Sequence, residues 1–197
     1  MDPSVSPPIE YLRVGFGRRV LAYLIDTLIM LTLSVAIGII VVGTNMHVPQ
    51  IINDQLVQIF DLYSALGIDA GAIRFIETMF GGMFMGSLAL GVLYPLVEGL
   101  TGASPGKRVL DICVATPDGY QATTRVYFRR YVVKNLGKIF QVLALVPTLG
   151  LLGTLSSLYD LVFFVGYFIA LGASRMALHD MIAQTAVFHR LDIQHRS

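Results

Sequence analysis

The sequence predicts an all-α, polytopic membrane helical bundle: four transmembrane helices with a small cytoplasmic hairpin and an outer amphipathic helix. Three observations carry this reading. Of the 197 residues, 55% are hydrophobic and 14% charged, whereas a soluble domain carries roughly 25% charged residues. Apolar runs extend over 20–43, 75–100 and 139–173, and a crossing needs roughly 20 residues. Basic residues crowd some connecting segments and acidic residues others, the asymmetry that orients helices in a bilayer.

The first run follows the stretch MDPSVSPPIEYLRVGFGRR. It is longer than the roughly 7–15 apolar residues of a signal peptide and reads as a retained helix. The second run gives helix two. The third is too long for one helix and is broken at Pro147, Gly150 and Gly153. It divides into a helix over 127–149, basic in its first half, and another over 154–173.

Charge orients these four. Residues 102–138 carry Lys107, Arg108, Arg125, Arg129, Arg130, Lys134 and Lys138 against Asp111 and Asp118. Residues 44–77 carry Arg74 against Asp54, Asp61, Asp69 and Glu77. The first segment is expected in the cytoplasm and the second outside. Arg13, Arg18 and Arg19, and Arg175, Arg190 and Arg196, place both ends inside, which requires an even number of crossings.

In the outer segment Ile52, Leu56, Ile59, Phe60 and Tyr63 recur at helical spacing, predicting an amphipathic helix over 49–66. Inside, KRVLDICVAT, the turn Pro117-Asp118-Gly119 and YQATT read as a hairpin. ALHDMIAQTAVFHR is too short to span and is expected at the inner interface.

Three carboxylates inside or beside the apolar runs are the candidate ion- or proton-handling groups: Asp26, Glu98 and Asp160. A charge at the bilayer centre costs about 2.5–3.5 kcal/mol on insertion scales, so it faces protein or a wet cavity. Asp160, mid-helix, is expected to face helix one or helix two. Arg19 precedes Asp26 by seven residues, on the same face and about 10.5 Å away. It can tune Asp26 through a bridging group, or, like Arg18, anchor the helix end. Glu98 can pair with Lys107 or Arg108.

Gly82 and Gly86 form a GxxxG pair suited to close helix packing. Arg130, Lys134 and Lys138, at i, i+4 and i+8, form a basic stripe suited to anionic lipid headgroups. A homo-oligomer or a membrane partner protein is expected, because four helices are few for transport.

Other classes are excluded. Gly102–Lys107, GASPGK, fails as a phosphate-binding loop: three residues separate its glycines and Arg108 follows the lysine. His179-Asp180 lacks a nucleophile to complete it, and the histidines have no metal-binding spacing, so no catalytic residue, metal or cofactor is expected. The single cysteine, Cys113, permits no internal disulfide. A net charge of +1 gives no reason to expect nucleic acid.

GFGRRVLAYLID (15–26), EGLTGASPGKRVLDICV (98–114), Arg129-Arg130 before an apolar helix and LHDMIAQTAV (178–187), in this order, resemble the RDD family of bacterial membrane proteins. The resemblance implies one small membrane domain over 1–197. Its parts would be a flexible N-terminal segment (1–14), an extracytoplasmic segment (44–74), a cytoplasmic loop (102–126) and a cytoplasmic C-terminal segment (174–197). The family arginine would be Arg19 or Arg18, and the two aspartates Asp26 and Asp180.

The resemblance further implies a multi-pass protein of the bacterial inner membrane, with transport, including cation/proton exchange, as the suggested role. Ser104 stands where the family has Thr, and Gln184 where it has Gly. Pro105, Gly106, Lys107, Arg108, His179 and Asp180 form the cytoplasmic motif, with Lys107 or Arg108 the expected partner of Asp180. A non-transporting scaffold or accessory subunit is the alternative.

Overall fold

The computed structural model describes residues 9–47 and 57–194. α1 is a single turn, Ile9–Leu12. α2, Phe16–Gly43, α3, Val57–Ala65, and α4, Ala70–Thr101, follow. α5, Pro105–Val109, leads into β1, Ile112–Ala115. α6, Thr124–Leu143, precedes a 3-10 turn at Pro147–Leu149. α7, Leu151–Tyr167, tightens into a 3-10 turn at Phe168–Leu171. α8, Leu178–Ile182, and β2, Ala186–His189, come last, before a turn at Arg190–Asp192. Of the expected outer helix, Ile52 and Leu56 lie outside the described residues; α3 is the described part.

Among the described residues, three helical stretches are long and apolar enough to cross a membrane: Phe16–Gly43, Ala70–Thr101 and Leu151–Leu171. Four are expected from the sequence. The missing one, over 127–149, exists as α6, but Arg125, Arg129, Arg130, Lys134 and Lys138 make it too polar to qualify by composition.

The chain divides into two compact units, Leu28–Gly91 and Met1–Thr27 with Val92–Ser197. In Leu28–Gly91, α2 and α4 approach closely at glycines. A Cβ on Gly82 would lie 2.9 Å from Val41 Cβ, and one on Gly86 2.9 Å from Ile37 Cδ1. Gly82 and Gly86 therefore face a helix of their own chain, where Val41, Ile37, Phe84 and Met85 pack together.

In the other unit a two-stranded antiparallel sheet sits over the helix ends, with Cys113 opposite Phe188 and Val114 opposite Val187. This corrects the expected hairpin. The turn itself forms, since the Thr116 N–H donates to the Tyr120 carbonyl at 2.9 Å. The residues after it, Gln121 to Thr124, are short and largely polar and offer no apolar face, whereas β2 supplies Val187 and Phe188, both buried. The N-terminal arm bridges β2 on its other edge: Arg13 pairs with Phe188, and the Val14 N–H donates to the Val187 carbonyl at 2.8 Å. Val14, Ala22, Ile112, Val114 and Val187 form the core beneath.

α6 and α7 form an antiparallel helical pair. The Tyr159 hydroxyl donates to the Val133 carbonyl, and Gly137 leaves room for the Asp160 carboxylate. The far end of α7 returns to the sheet, where Tyr167 lies 5.4 Å from Phe16 and stacks on His179 at 6.1 Å.

Candidate functional site

Asp180 is the third residue of α8, and its carboxylate accepts from the Ala177 N–H at 3.2 Å, capping that short helix. It is 0% exposed. Oδ2 accepts from Arg19, and Oδ1 accepts from Arg130 Nε at 3.0 Å and Nη2 at 2.7 Å. Burial alone would raise its pKa, but Arg130, His179 and Arg19 hold the carboxyl well below the usual range. Lys107 and Arg108, the expected partners, are not its partners. Arg19 is fixed further by donating to the Val14 and Arg175 carbonyls at 3.1 and 2.7 Å.

Arg130 continues the chain of charge. Its Nη1 pairs with Glu98, whose Oε1 also accepts from Lys107 Nζ at 2.6 Å and whose Oε2 faces Lys134 Nζ at 3.3 Å. Arg19, Asp180, Arg130, Glu98 and Lys107 are all buried. Arg130 Nη2 lies 3.1 Å from His179 Nε2. A guanidinium can only donate, so that nitrogen accepts and the imidazole is neutral. Its pKa is pushed well down by burial and, despite Asp180, by Arg130 and the lysines. Burial also pushes the Lys107 ammonium down to about 8, against support from Asp180 and Asp26.

Asp26 forms the second half of the site. Its Oδ1 accepts from the Tyr94 hydroxyl and the Gly106 N–H, both at 2.7 Å, and its Oδ2 accepts from the Ser104 hydroxyl at 2.6 Å. Ser104 also caps α5, accepting from the Lys107 N–H at 3.3 Å. Gly106 is required here, because a Cβ would collide with the Ala22 carbonyl and lie 2.9 Å from Asp26 Cγ. GASPGK thus presents a short helix start to a carboxylate of its own chain. A cavity of about 50 Å³ is lined by Asp26 together with Arg19, Lys107, Arg130, Lys134 and His179.

Several expectations change. Arg19 bonds Asp180, not Asp26. Arg18 is exposed and lies 3.0 Å from His189 Nε2, so Arg19 is the buried one of the two arginines. Asp160 faces α6 and not helix one or two: it pairs with Lys138 at 3.4 Å, with side chains 41% and 48% exposed. It does not line the cavity with Asp26, because it stands seven residues, about 10.5 Å, before Tyr167 at the cluster end of α7. In the stripe Arg130, Lys134, Lys138 the members pair with Asp180, Glu98 and Asp160, and Arg130 is buried, away from any headgroup. The sequence reading missed Tyr94 and the central place of Arg130. A charge count held the signal for Arg130, since buried carboxylates require nearby cations.

Among the described residues no group of three His, Cys, Asp or Glu side chains could hold a metal. A model of the RDD family matches residues 13–184, and the chain belongs to the RDD family. No curated protein and no solved structure matches it.

Proposed function

We propose that this member of the RDD family is a small membrane transporter, or a subunit of one, handling cations or protons at the cluster built on Asp26 and Glu98. The observation that carries this is the cavity itself. Asp26 lines it together with Lys107, Arg130 and Lys134, and these three cations share the carboxylate Glu98. Its volume, about 50 Å³, suits one or two waters or a small cation.

Lys107, at about 8, gives up its proton just above neutral pH. Glu98 then loses one of its three cations, and a monovalent cation entering the cavity beside Asp26 restores the charge. One proton is exchanged for one cation.

This reading includes four crossings, with α6 as the third, and both ends on the cytoplasmic side of a bacterial inner membrane. Two features support it. Membrane-level cations of α6 each have a carboxylate partner, which lowers the cost of placing them there. The Val14–Val187 bond joins the start of α2 to the C-terminal strand.

The pairing of Glu98 and Asp180 by several cations each also suits a static clamp, as in a non-transporting accessory subunit. Purified protein in liposomes separates the two. Cation-driven proton flux between pH 7 and 9 is expected, lost in Lys107→Met and Glu98→Gln and retained in Lys138→Met. Absence of flux from the unaltered protein would remove the transport reading and leave the accessory one.

A further inference from the structure

We propose that the region around β1 carries a separate binding site for a phosphate ester, in the pocket lined by Arg108 and Arg190. The pocket has a volume of about 470 Å³, within the range of roughly 300–1,000 Å³ typical of small-molecule sites. It is unconnected with the carboxylate cluster: Arg108 and Arg190 belong to neither ion-pair chain.

The charge of the pocket selects the ligand. Arg108 Nη2 donates to the Thr101 hydroxyl at 2.8 Å, which leaves the rest of its guanidinium for other acceptors. Arg190 is held through its backbone, whose N–H donates to the Asp111 carbonyl at 3.0 Å. Neither guanidinium has a carboxylate partner among the described residues. By contrast the guanidiniums of Arg13, Arg19 and Arg175 each make two or more bonds to acceptors of the protein. The lining holds two guanidiniums and one carboxylate, Asp111, so the pocket is net cationic and suited to planar, bidentate recognition of phosphate oxygens.

Asp111 restricts the ligand further. A carboxylate beside a bound phosphate repels it unless a hydroxyl intervenes, so the ester carries a hydroxyl that donates to Asp111. Tyr127 and Ile193 add apolar surface to the lining, which suits an aromatic or aliphatic body. A free nucleotide and a glycerophospholipid headgroup share this chemistry.

Cys113, the single cysteine, lines the pocket and is half-buried, so its alkylation by N-ethylmaleimide reports occupancy in the full chain. In phosphatidylcholine nanodiscs, adenosine 5′-monophosphate at about twice its Kd should slow alkylation about threefold, the factor 1 + [L]/Kd. Adenosine, lacking the phosphate, should not. Arg108→Gln and Arg190→Gln should each abolish the protection.

A lipid source gives a different pattern. Nanodiscs containing phosphatidylglycerol would slow alkylation without added nucleotide, and the same two variants would restore the rate. Either pattern supports the site. No slowing in any arm, equal protection by adenosine, or protection that survives both substitutions overturns it. The adenosine comparison needs no variant and decides the matter if either glutamine variant fails to fold.

Discussion

Asp180 is fully buried and held by two guanidiniums, and such an arrangement is asymmetric. Removing the carboxylate charge leaves Arg19 and Arg130 buried and opposed by less negative charge, a change that typically costs 3–5 kcal/mol. Asp180→Asn should therefore lower stability by about 3–5 kcal/mol, measured by thermal unfolding in detergent. The pH dependence has a definite sign. The folded carboxyl lies below its ordinary 3.8, so its contribution is present above about pH 4 and is lost as pH falls below it.

Lys107 gives the same sign in a higher pH window, for the opposite reason: burial disfavours its charged form. Its folded value of about 8 lies below the ordinary 10.5, so between these values the unfolded chain binds the proton and the folded chain does not. Stability should rise with pH across that window, and Lys107→Met should flatten the rise. A fall in stability from pH 8 to 10 that depends on Lys107 would contradict the burial argument. At this scale the sequence marked Arg19, Asp26, Glu98 and Asp180 and gave Glu98 its Lys107 partner, but it paired Arg19 and Asp180 wrongly. Side chains on a helix lean toward its N-terminus, so Arg19 reaches back to α8 and away from Asp26, and nothing local to 15–26 announces that α8 is there.

α8 ends on a residue of the wrong type for its backbone. Gln184 has φ +50°, the left-handed conformation that closes helices and that glycine adopts without strain. Its family departure from Gly is thus a conformational cost. Gln184→Gly should raise stability by about 1 kcal/mol, the lower end of the left-handed penalty for a residue with a Cβ. A thermal shift in the same detergent measures it, and destabilisation would mean that the glutamine side chain has a role of its own. Ser104 is a milder departure, since Ser and Thr both supply the hydroxyl that caps α5 and donates to Asp26.

The apolar helices were legible because length and composition define them. The sheet was not. A Pro-Asp-Gly turn is a local signal, whereas the choice of β2 over Gln121–Thr124 as partner for β1 depends on burying Val187 and Phe188, which only long-range packing decides. α6 was placed within a few residues, but its basic side chains were assigned to lipid because their carboxylate partners lie on α4, α7 and α8, distant in sequence.

For the whole molecule the decisive question is whether α6 crosses. With α2, α4 and the Leu151–Leu171 stretch alone crossing, the start of α2 and the C-terminal strand would lie on opposite sides of the membrane. Their direct bond, Val14 N–H to the Val187 carbonyl at 2.8 Å, is the observation that favours an even number of crossings. A fourth crossing by α6 removes the contradiction. At about 1.5 Å per residue its 20 residues span about 30 Å, the thickness of the hydrocarbon core. Its antiparallel partner α7 accompanies it, and Lys138 meets Asp160 on the way.

The arrangement fixes the labelling of a chain whose single cysteine has been replaced by Cys113→Ser. Val146→Cys, in the connection between α6 and α7, should react with a membrane-impermeant maleimide from outside intact cells. Leu191→Cys, next to β2 and 91% exposed, should react only after the cells are opened. If Val146→Cys is shielded in intact cells but labelled as readily as Leu191→Cys once they are opened, α6 lies along the inner surface. The four-crossing arrangement then fails, and with it the placement of Lys134 and Lys138 at membrane depth.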